Sequence, residues 1–174
     1  MRIRKTTPFD YEAVEAVVMD AFDPAEGPVI AKLALDLLTD DTAKPVVALV
    51  AEEDDRIAGM IIFSPVSIIG CEDVTAYILA PLAVLKERQR KGIGRALVQQ
   101  GMMLIEQAGA GLVLVYGDPD YYTRAGFCSD HNIKAPYKLT YPRAWMAKAF
   151  QKGLLETIRG TVRCAAALNA PEHW

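Results

Sequence analysis

The sequence predicts a mixed α and β fold built around one central sheet, in a single domain. The chain has 174 residues, which suits one domain, because two domains would each be near the small end of the size range. Apolar runs separated by tight-turn residues come first, and a strand–helix–strand series follows. Hydrophobic residues make up 52% of the chain and charged residues 24%, as in a folded domain.

The first part of the chain is predicted to contain a short strand and two helices. The strand is expected over residues 1–5. Asp10 is the expected N-cap of a helix that runs through Phe22, because valines and alanines recur there on one helical face. A second helix is expected from about Glu26 to Leu38, which carries a similar apolar stripe.

A hairpin and a third, interrupted strand are predicted next. Residues 46–51 and 57–63 are apolar and flank Asp54 and Asp55, which are expected to form a tight turn. Another apolar run covers residues 74–85 and contains Pro81. Because proline cannot donate a ladder hydrogen bond, this strand is expected to be distorted at that point.

The clearest helical pattern lies over residues 92–108, where apolar residues recur at helical spacing and Gly109 follows as a stop. A buried strand is expected over residues 112–116. A short helix is then expected to start at Asp118 and Pro119, and to end at Gly126.

The C-terminal part is predicted to be a helix–strand extension of the same domain, which spans residues 1–174. Pro142 is expected to begin the helix and Gly153 to end it. One side of that helix would carry Trp145, Met146, Ala149 and Phe150. Apolar residues alternate with arginines over residues 158–166, which predicts a last strand.

Composition excludes several classes of protein. The net charge is −3, which argues against a general nucleic-acid-binding surface. The longest uncharged stretch, residues 57–71, is too short to span a membrane, so no membrane association is expected. The three cysteines are odd in number and far apart, which predicts neither a disulfide framework nor a zinc site and favours a reducing, cytoplasmic location. These are Cys71, Cys128 and Cys164.

One segment carries a strong local charge. Residues 86–95 hold five basic side chains and one acidic side chain, between an apolar strand and the long helix. The first amides of a helix lack partners, the helix dipole adds positive charge, and Gly92 and Gly94 let an anion approach the backbone. Arg90 and Arg95 are placed to contact phosphate oxygens. The segment predicts a small phosphate ligand, with an ordinary solvated helix start as the alternative.

The same segment resembles a known family. Residues 89–94, Gln-Arg-Lys-Gly-Ile-Gly, match the Q/R-x-x-G-x-G/A signature of the GNAT superfamily of acetyl-CoA-dependent N-acetyltransferases. Residues 82–84 resemble its preceding strand, and residues 122–127, Tyr-Thr-Arg-Ala-Gly-Phe, resemble its later Y-x-x-x-G-F element. The resemblance is strong from about Ile57 to Phe127, and it is greatest to the YhbS-like branch.

The resemblance implies a GNAT-like mixed central sheet of about six to seven strands, flanked by helices and splayed between strands 4 and 5. It implies acetyl-CoA as a co-substrate and no metal. It also implies that strand 4 pairs with pantetheine, that a backbone amide there polarises the thioester carbonyl, and that the signature loop binds the diphosphate. The coenzyme-binding residues carried over are Leu82, Ala83, Val84, Arg90, Lys91, Gly92, Ile93, Gly94 and Arg95.

The family's general acid corresponds to Tyr122, which would stabilise the leaving thiolate. The adjacent Tyr121 is the alternative, because neighbouring helix positions do not face the same point. No general base is assigned. Four carboxylates are candidates by position alone, and a solvated surface role is the alternative for each: Asp23, Glu26, Glu72 and Asp73.

The resemblance therefore implies direct transfer of an acetyl group from acetyl-CoA to a primary amine of a small molecule, in a ternary complex. Asp20, Asp23 and Glu26, between the first two helices, hint at a cationic acceptor. Acetylation of a protein lysine or N-terminus is one alternative, and a non-catalytic sensor of coenzyme A is another. Either a monomer or a homodimer is compatible with the sequence.

Overall fold

The computed structural model describes residues 1–174 as eight strands and five α-helices joined by turns. In chain order these are β1 (Arg2–Lys5), α1 (Tyr11–Ala21), α2 (Gly27–Thr39), β2 (Val47–Glu53), β3 (Arg56–Ile68), β4 (Ala76–Val84), α3 (Ile93–Gln107), β5 (Leu112–Tyr116), α4 (Pro119–Thr123), β6 (Asn132–Lys134), β7 (Trp145–Ala149), α5 (Leu154–Thr157) and β8 (Arg159–Arg163).

The strands form one mixed sheet in the order β1-β2-β3-β4-β5-β7. Every neighbouring pair along this path is antiparallel except β4 and β5, which are parallel because α3 connects them. The short strand β8 pairs with the distal end of β3, and β6 pairs with β8. The predicted fold class is confirmed, with eight strands where about six to seven were expected.

The sheet separates two hydrophobic cores. Side chains of β3 alternate between them, so that Met60 and Ile62 face one core while Ile61 and Phe63 face the other. Helices α1 and α2 cover the first face and α3 covers the second. No helix in the structure is both long and apolar enough to cross a bilayer.

Strand β4 is distorted at the predicted point. Between Leu79 and Leu82 it carries one residue more than the facing segment of β3, so the register shifts by a β-bulge beside Pro81. The bulge changes the direction of the second half of β4, and this half continues towards the N-terminus of α3.

The predicted helix from Pro142 to Gly153 is wrong. Pro142 opens a single 3₁₀ turn, and the next five residues form β7, which pairs antiparallel with β5. Trp145 and Met146 point into opposite cores, so β7 is buried on both faces. A doubly buried strand has no polar alternation, and its apolar spacing is therefore compatible with a helix as well. Gly153 precedes a short helix, α5, instead of ending a long one.

Asp10 precedes α1 as predicted, but its side chain makes no capping hydrogen bond to that helix. Its two carboxylate oxygens instead accept hydrogen bonds from Nη1 and Nη2 of Arg4, both at 2.7 Å. The backbone amide and hydroxyl of Thr7 also donate to this carboxylate, at 2.7 and 2.9 Å. Since Asp10 is only 6% exposed, this network ties β1 to the start of α1. Arg4 and Thr7 hold the pKa of Asp10 far below its ordinary value.

Asp10→Asn is expected to lower the free energy of unfolding by about 2 kcal/mol at pH 7, because the bidentate charged pair with Arg4 is lost. The pKa of Asp10 is depressed by folding, so its stabilisation is present above the unfolded pKa near 3.9 and disappears as the pH falls. The difference between variant and wild type, measured by urea unfolding, should therefore shrink at about pH 3. Asp41→Asn, at a solvent-exposed carboxylate, is the control. An equal decrease in the free energy of unfolding of Asp10→Asn at both pH values would contradict this account.

Candidate active site

Strands β4 and β5 pair only over their first four residues, from Ala76 opposite Leu112 to Leu79 opposite Val115. After the bulge, β4 runs on to Val84 without a partner on this side. A gap therefore opens between β4 and β5 in the middle of the sheet, at the position of the predicted splay.

The gap exposes backbone hydrogen-bonding groups of β4. The amide of Leu85 donates to the Ala58 carbonyl on β3, at 2.9 Å. Because successive peptide groups in a strand point to opposite sides, the backbone groups of Leu82 and Val84 face the gap, while those of Ala83 face β3. The side-chain amide of Gln89 donates to the Val84 carbonyl at 3.0 Å, which attaches the following loop to this strand.

The loop before α3 presents a row of free backbone donors. Arg90 has φ +60 and Gly92 has φ +89, so the chain turns twice through the left-handed region before the helix. The backbone amides from Arg90 to Arg95 donate to no carbonyl in a turn and to no side chain. Those in the first turn of α3 also have no acceptor within the helix. Because α3 has 15 residues, its dipole adds positive charge at the same point.

The cations of this segment divide into two groups. Arg88 is paired with Glu53 and Asp54 at the β2–β3 hairpin, at 3.1 and 3.2 Å, and so holds the loop in place. Arg90, Lys91 and Arg95 make no ion pair in the structure and are exposed. The free positive charge therefore lies beside the free amides, which is the arrangement that binds phosphate.

A cavity of about 1470 Å³ lies along this loop, between α3 and α4. Of the predicted coenzyme-binding residues, six line it: Leu82, Val84, Arg90, Gly92, Gly94 and Arg95. Ala83, Lys91 and Ile93 do not line it; Ala83 and Ile93 are buried in the two cores, at 2% and 1% exposure. Arg124 of the segment after α4 also lines the cavity and was not predicted.

A second cavity, of about 960 Å³, lies on the other side of the gap. Its floor includes the bulged part of β4 and the end of β5. Leu82 and Asp118 line both cavities, so the two meet at the gap. The Asp118 carboxylate accepts a hydrogen bond from the Asp120 amide at 2.9 Å and thereby caps α4.

The adjacent tyrosines of α4 lie on different sides of this junction. Tyr121 lines the first cavity, and its hydroxyl would lie 2.7 Å from a Cβ atom built on Gly94. Tyr122 lines the second cavity. The two rings meet edge to face, with centroids 5.0 Å apart. Both residues therefore reach the gap, one from each side.

Tyr122 is held rigidly with its hydroxyl uncommitted. The residue is 8% exposed, and its ring packs edge to face on Phe127 at 5.5 Å. The hydroxyl makes no hydrogen bond to the protein and is not among the fully buried unpaired atoms, so it is open to the cavity. Burial raises the pKa of Tyr122 well above its ordinary value, with smaller contributions from Tyr121 and Asp118. Its hydroxyl is a hydrogen-bond donor at any physiological pH.

The candidate carboxylates are not equivalent in the fold. Glu72 and Asp73 precede β4, at the end opposite the gap, and β4 is nine residues or about 30 Å long. Asp23 accepts from the amides of Ala25 and Glu26, both at 2.9 Å, at the start of α2. Of the four candidates, Glu26 lines the second cavity.

The acidic segment between α1 and α2 is also used structurally. The Asp20 carboxylate accepts a hydrogen bond from the Lys86 amide at 2.7 Å, joining α1 to the turn after β4. Asp20 and Asp23 both bind backbone amides of the protein. Of the acidic residues in this segment that suggested a cationic acceptor, Glu26 is therefore the one that lines the cavity.

Sequence patterns did not indicate two features of the site. Gly117 lies directly against Tyr122, and a Cβ atom there would be 2.5 Å from the tyrosine ring. The C-terminal segment returns to the second cavity and contributes Glu172, His173 and Trp174 to its wall. A close contact with Gly117 and the return of a distant segment both depend on the tertiary fold, so no local pattern signals them.

Gly117→Ala is expected to displace the Tyr122 ring, because the added methyl group would overlap it. If Tyr122 acts at the reacting atoms, kcat should fall by about 10-fold or more while KM for acetyl-CoA changes little. Gly111→Ala, just before the other end of β5, is the control because its Cβ would come closest to the ends of two side chains, Leu154 at 3.1 Å and Val74 at 3.3 Å, and not to the Tyr122 ring. Unchanged kcat in Gly117→Ala would show that the ring position is unimportant.

The fold, with a gap in its sheet beside a loop of free backbone amides, is that of an acetyltransferase domain. A family model described as an acetyltransferase (GNAT) domain matches residues 45–129. This range includes Leu82 and Asp118, the two residues that line both cavities. The N-acetyltransferase YjhQ of Escherichia coli (strain K12) is 33% identical over 141 residues, which cover 78% of this chain and 77% of that protein. The N-acetyltransferase YhbS of the same strain is 35% identical over 137 residues, covering 77% and 78%. The chain belongs to the GNAT family of N-acetyltransferases.

Solved structures agree with this assignment. The YhbS structure from Escherichia coli, in complex with CoA, has a TM-score of 0.86 at 29% identity and covers 97% of this chain and 92% of that one. A GNAT family acetyltransferase from Brucella melitensis, in complex with acetyl-CoA, has a TM-score of 0.71 at 33% identity and covers 97% of both chains.

Proposed function

We propose that this protein transfers the acetyl group of acetyl-CoA to the primary amine of a small molecule, by direct attack in a ternary complex. The observation that carries the proposal is the meeting of two different cavities at Leu82 and Asp118. One cavity is bordered by free amides and cations, and 16 of the 25 residues that line the other are hydrophobic. Two substrates entering from opposite sides would meet at the gap.

The residues of the first cavity fit coenzyme A. The free amides between Arg90 and Arg95 would bind its diphosphate, with the unpaired side chains of Arg90 and Arg95 adding charge-assisted contacts. The Leu82 carbonyl and the Val84 amide, which face the gap, would pair with pantetheine. When bound, acetyl-CoA supplies the acetyl group as a thioester.

Two groups of this chain would act at the thioester. The Leu82 amide, facing the gap, would donate to the carbonyl oxygen as negative charge develops. Tyr122 would donate a hydrogen bond to the departing sulfur. Proton transfer from an ordinary tyrosine to a thiolate is uphill by about 2 kcal/mol, and burial of Tyr122 increases that cost. Its role is therefore hydrogen-bond donation to the thiolate.

The acceptor must lose a proton before it attacks. An alkyl amine with a pKa of about 10.4 is neutral in about one molecule in 10³ at pH 7, a cost of roughly 4–5 kcal/mol. The apolar lining of the second cavity would lower the amine's pKa by disfavouring its charged form. Glu26 is the candidate that would receive the proton.

The size of the second cavity favours a small molecule over a protein acceptor, because a volume of about 960 Å³ lies within the usual range for small-molecule sites. Tyr141 and Trp174, from two distant segments, contribute to its walls. A protein lysine or N-terminus would need a groove long enough for the residues next to it.

The test is release of thiol from acetyl-CoA in the presence of a panel of small amines, compared with lysine-containing and N-terminal peptides of matched charge. Faster release with small amines is expected. A preference for the peptides would favour the protein acetyltransferase. Thermal stabilisation by coenzyme A without thiol release on any acceptor would favour a sensor.

A further inference from the structure

The second cavity has an aromatic wall made by residues from three distant segments. Tyr116 ends β5, and its ring lies nearly parallel to that of Trp174, with centroids 6.4 Å apart and an interplanar angle of 16°. Trp174 also meets Trp145 edge to face at 5.5 Å. Tyr141 lines the same cavity and is 71% exposed. We call Tyr116, Tyr141 and Trp174 the aromatic wall.

Tyr116 and Trp174 are each hydrogen-bonded within the protein through their side-chain polar atom. The Trp174 indole donates to the Leu168 carbonyl at 3.0 Å, and the Tyr116 hydroxyl accepts from the Tyr141 amide at 3.2 Å. These two rings therefore offer the cavity mainly apolar surface, and the Tyr116 hydroxyl keeps its own proton as a donor. Such surfaces select flat apolar groups, which pack on the ring faces or edges.

The segment that carries Trp174 is anchored from outside the cavity. The amide of Ala166 donates to the Thr42 hydroxyl at 2.8 Å, and the amide of Ala167 donates to the Asp40 carboxylate at 3.0 Å. Both acceptors follow α2, so the tail is attached to the helix that covers the same face of the sheet. The aromatic wall is in place before a ligand enters, which lowers the entropy cost of binding.

The charge of the lining limits the acceptor further. Three acidic residues, Glu26, Asp118 and Glu172, face one arginine, Arg143. The Asp118 carboxylate is already engaged at the cap of α4. Burial lowers the pKa of His173, so this residue adds no positive charge near neutral pH. The three acidic side chains and Arg143 carry a net charge of −2, which suits a cationic amine as the acceptor.

We infer that the acceptor is a primary amine whose amino group is carried on an aromatic or similarly flat apolar body, which packs against the aromatic wall. This inference rests on the proposed function, because it names the molecule that would occupy the second cavity. The amino group would lie at the gap, beside Tyr122, and the ring would lie towards Trp174.

The first experiment compares acceptors with the full-length protein and acetyl-CoA. The value of kcat/KM for 2-phenylethylamine should exceed those for n-butylamine, spermidine and glucosamine by about 10-fold or more, since a buried phenyl ring contributes that much affinity. All four amines carry a primary amino group, and their rates are compared at equal concentrations of the neutral amine, because these amino groups differ in pKa.

The second experiment changes the wall. Trp174→Ala should raise KM for 2-phenylethylamine by about 10- to 100-fold, with little change in kcat or in KM for acetyl-CoA. Trp174→Phe should retain affinity within about 3-fold because it keeps a ring. Because Trp174 also packs on Trp145, its replacement could disturb the core. Tyr141→Ala is therefore a second test, at an exposed side chain whose loss leaves the core intact, and it should also raise KM for 2-phenylethylamine.

A binding measurement avoids dependence on turnover. The chain has two tryptophans, and Trp145 is buried while Trp174 lines the cavity. Addition of 2-phenylethylamine in the presence of coenzyme A should change the tryptophan fluorescence of the wild type, and Trp174→Phe should abolish this change.

The outcomes separate the two proposals. Two results would overturn this inference while the proposed function stands. One is a higher kcat/KM for spermidine, glucosamine or n-butylamine than for 2-phenylethylamine. The other is an equal decrease of kcat/KM for all amines in both Trp174→Ala and Tyr141→Ala. Stabilisation by coenzyme A without thiol release on any amine would overturn the proposed function, and this inference with it.

Discussion

Gly92→Glu is expected to weaken coenzyme A binding by about 100-fold or more. Gly92 has φ +89, a conformation that costs other residues strain, and it lies within the row of free amides before α3. A glutamate would place a negative charge beside the proposed diphosphate site and would also disturb the turn that presents the amides. The Kd for coenzyme A, from calorimetry or from the shift in Tm with ligand concentration, measures the effect.

The chain provides a matched control at the other end of the same helix. Gly109 has φ +92, and, as at Gly92, no atom lies within 4 Å of the position that its Cβ would occupy. Gly109→Glu therefore imposes similar backbone strain and the same charge far from the loop. It should lower the free energy of unfolding about as much as Gly92→Glu and leave the Kd unchanged. Equal Kd values for Gly92→Glu and the wild type would refute the placement of the diphosphate.

Tyr122→Phe is expected to lower kcat by about 10²- to 10⁴-fold, because the leaving thiolate would lose its hydrogen-bond donor. The change removes one oxygen from a rigid ring whose hydroxyl has no partner in the protein, so stability and KM for acetyl-CoA should change little. Steady-state kinetics with a reactive small amine provides the measurement.

The neighbouring tyrosine is the control for this variant. Tyr121→Phe removes a hydroxyl that lies against Gly94 in the first cavity, so its effect should appear in KM for acetyl-CoA and not in kcat. The reverse result, with kcat lost in Tyr121→Phe and kept in Tyr122→Phe, would exchange the two roles.

The pH profile provides an independent check on Tyr122. Because burial raises the pKa of Tyr122 above the ordinary value of about 10, the hydroxyl should stay protonated throughout the assay range. The rate should increase with pH as the amine loses its proton, and it should not decrease again below about pH 10. An alkaline decrease that disappears in Tyr122→Phe would mean that the hydroxyl titrates within this range.

The local parts of the site were predictable because their physics is local. A helix that starts after a glycine leaves its first amides unpaired wherever it lies in a protein, and cations adjacent in sequence are necessarily near them. The order strand, loop with Gly92 and Gly94, and helix was therefore sufficient to predict a loop of free amides and cations before α3. The proline in β4 likewise indicated a local irregularity, which the bulge confirms.

Other features depended on contacts between distant segments. Met146 and Trp145 occupy opposite cores, so the pattern that predicted a helix belongs to a strand buried on both faces. The candidate carboxylates looked equivalent in the sequence, whereas the direction of β4 puts Glu72 and the gap at opposite ends of one strand.

By itself, the sequence determined the family, the mixed fold class and the loop from Arg90 to Arg95, since these depend on short-range patterns and on one specific motif. The tertiary structure alone decided that Tyr121 and Tyr122 reach the gap from opposite sides and that Trp174 returns to the second cavity. The physical reason is that neighbouring residues are held together by covalent geometry, whereas contacts between distant segments depend on how the whole chain packs.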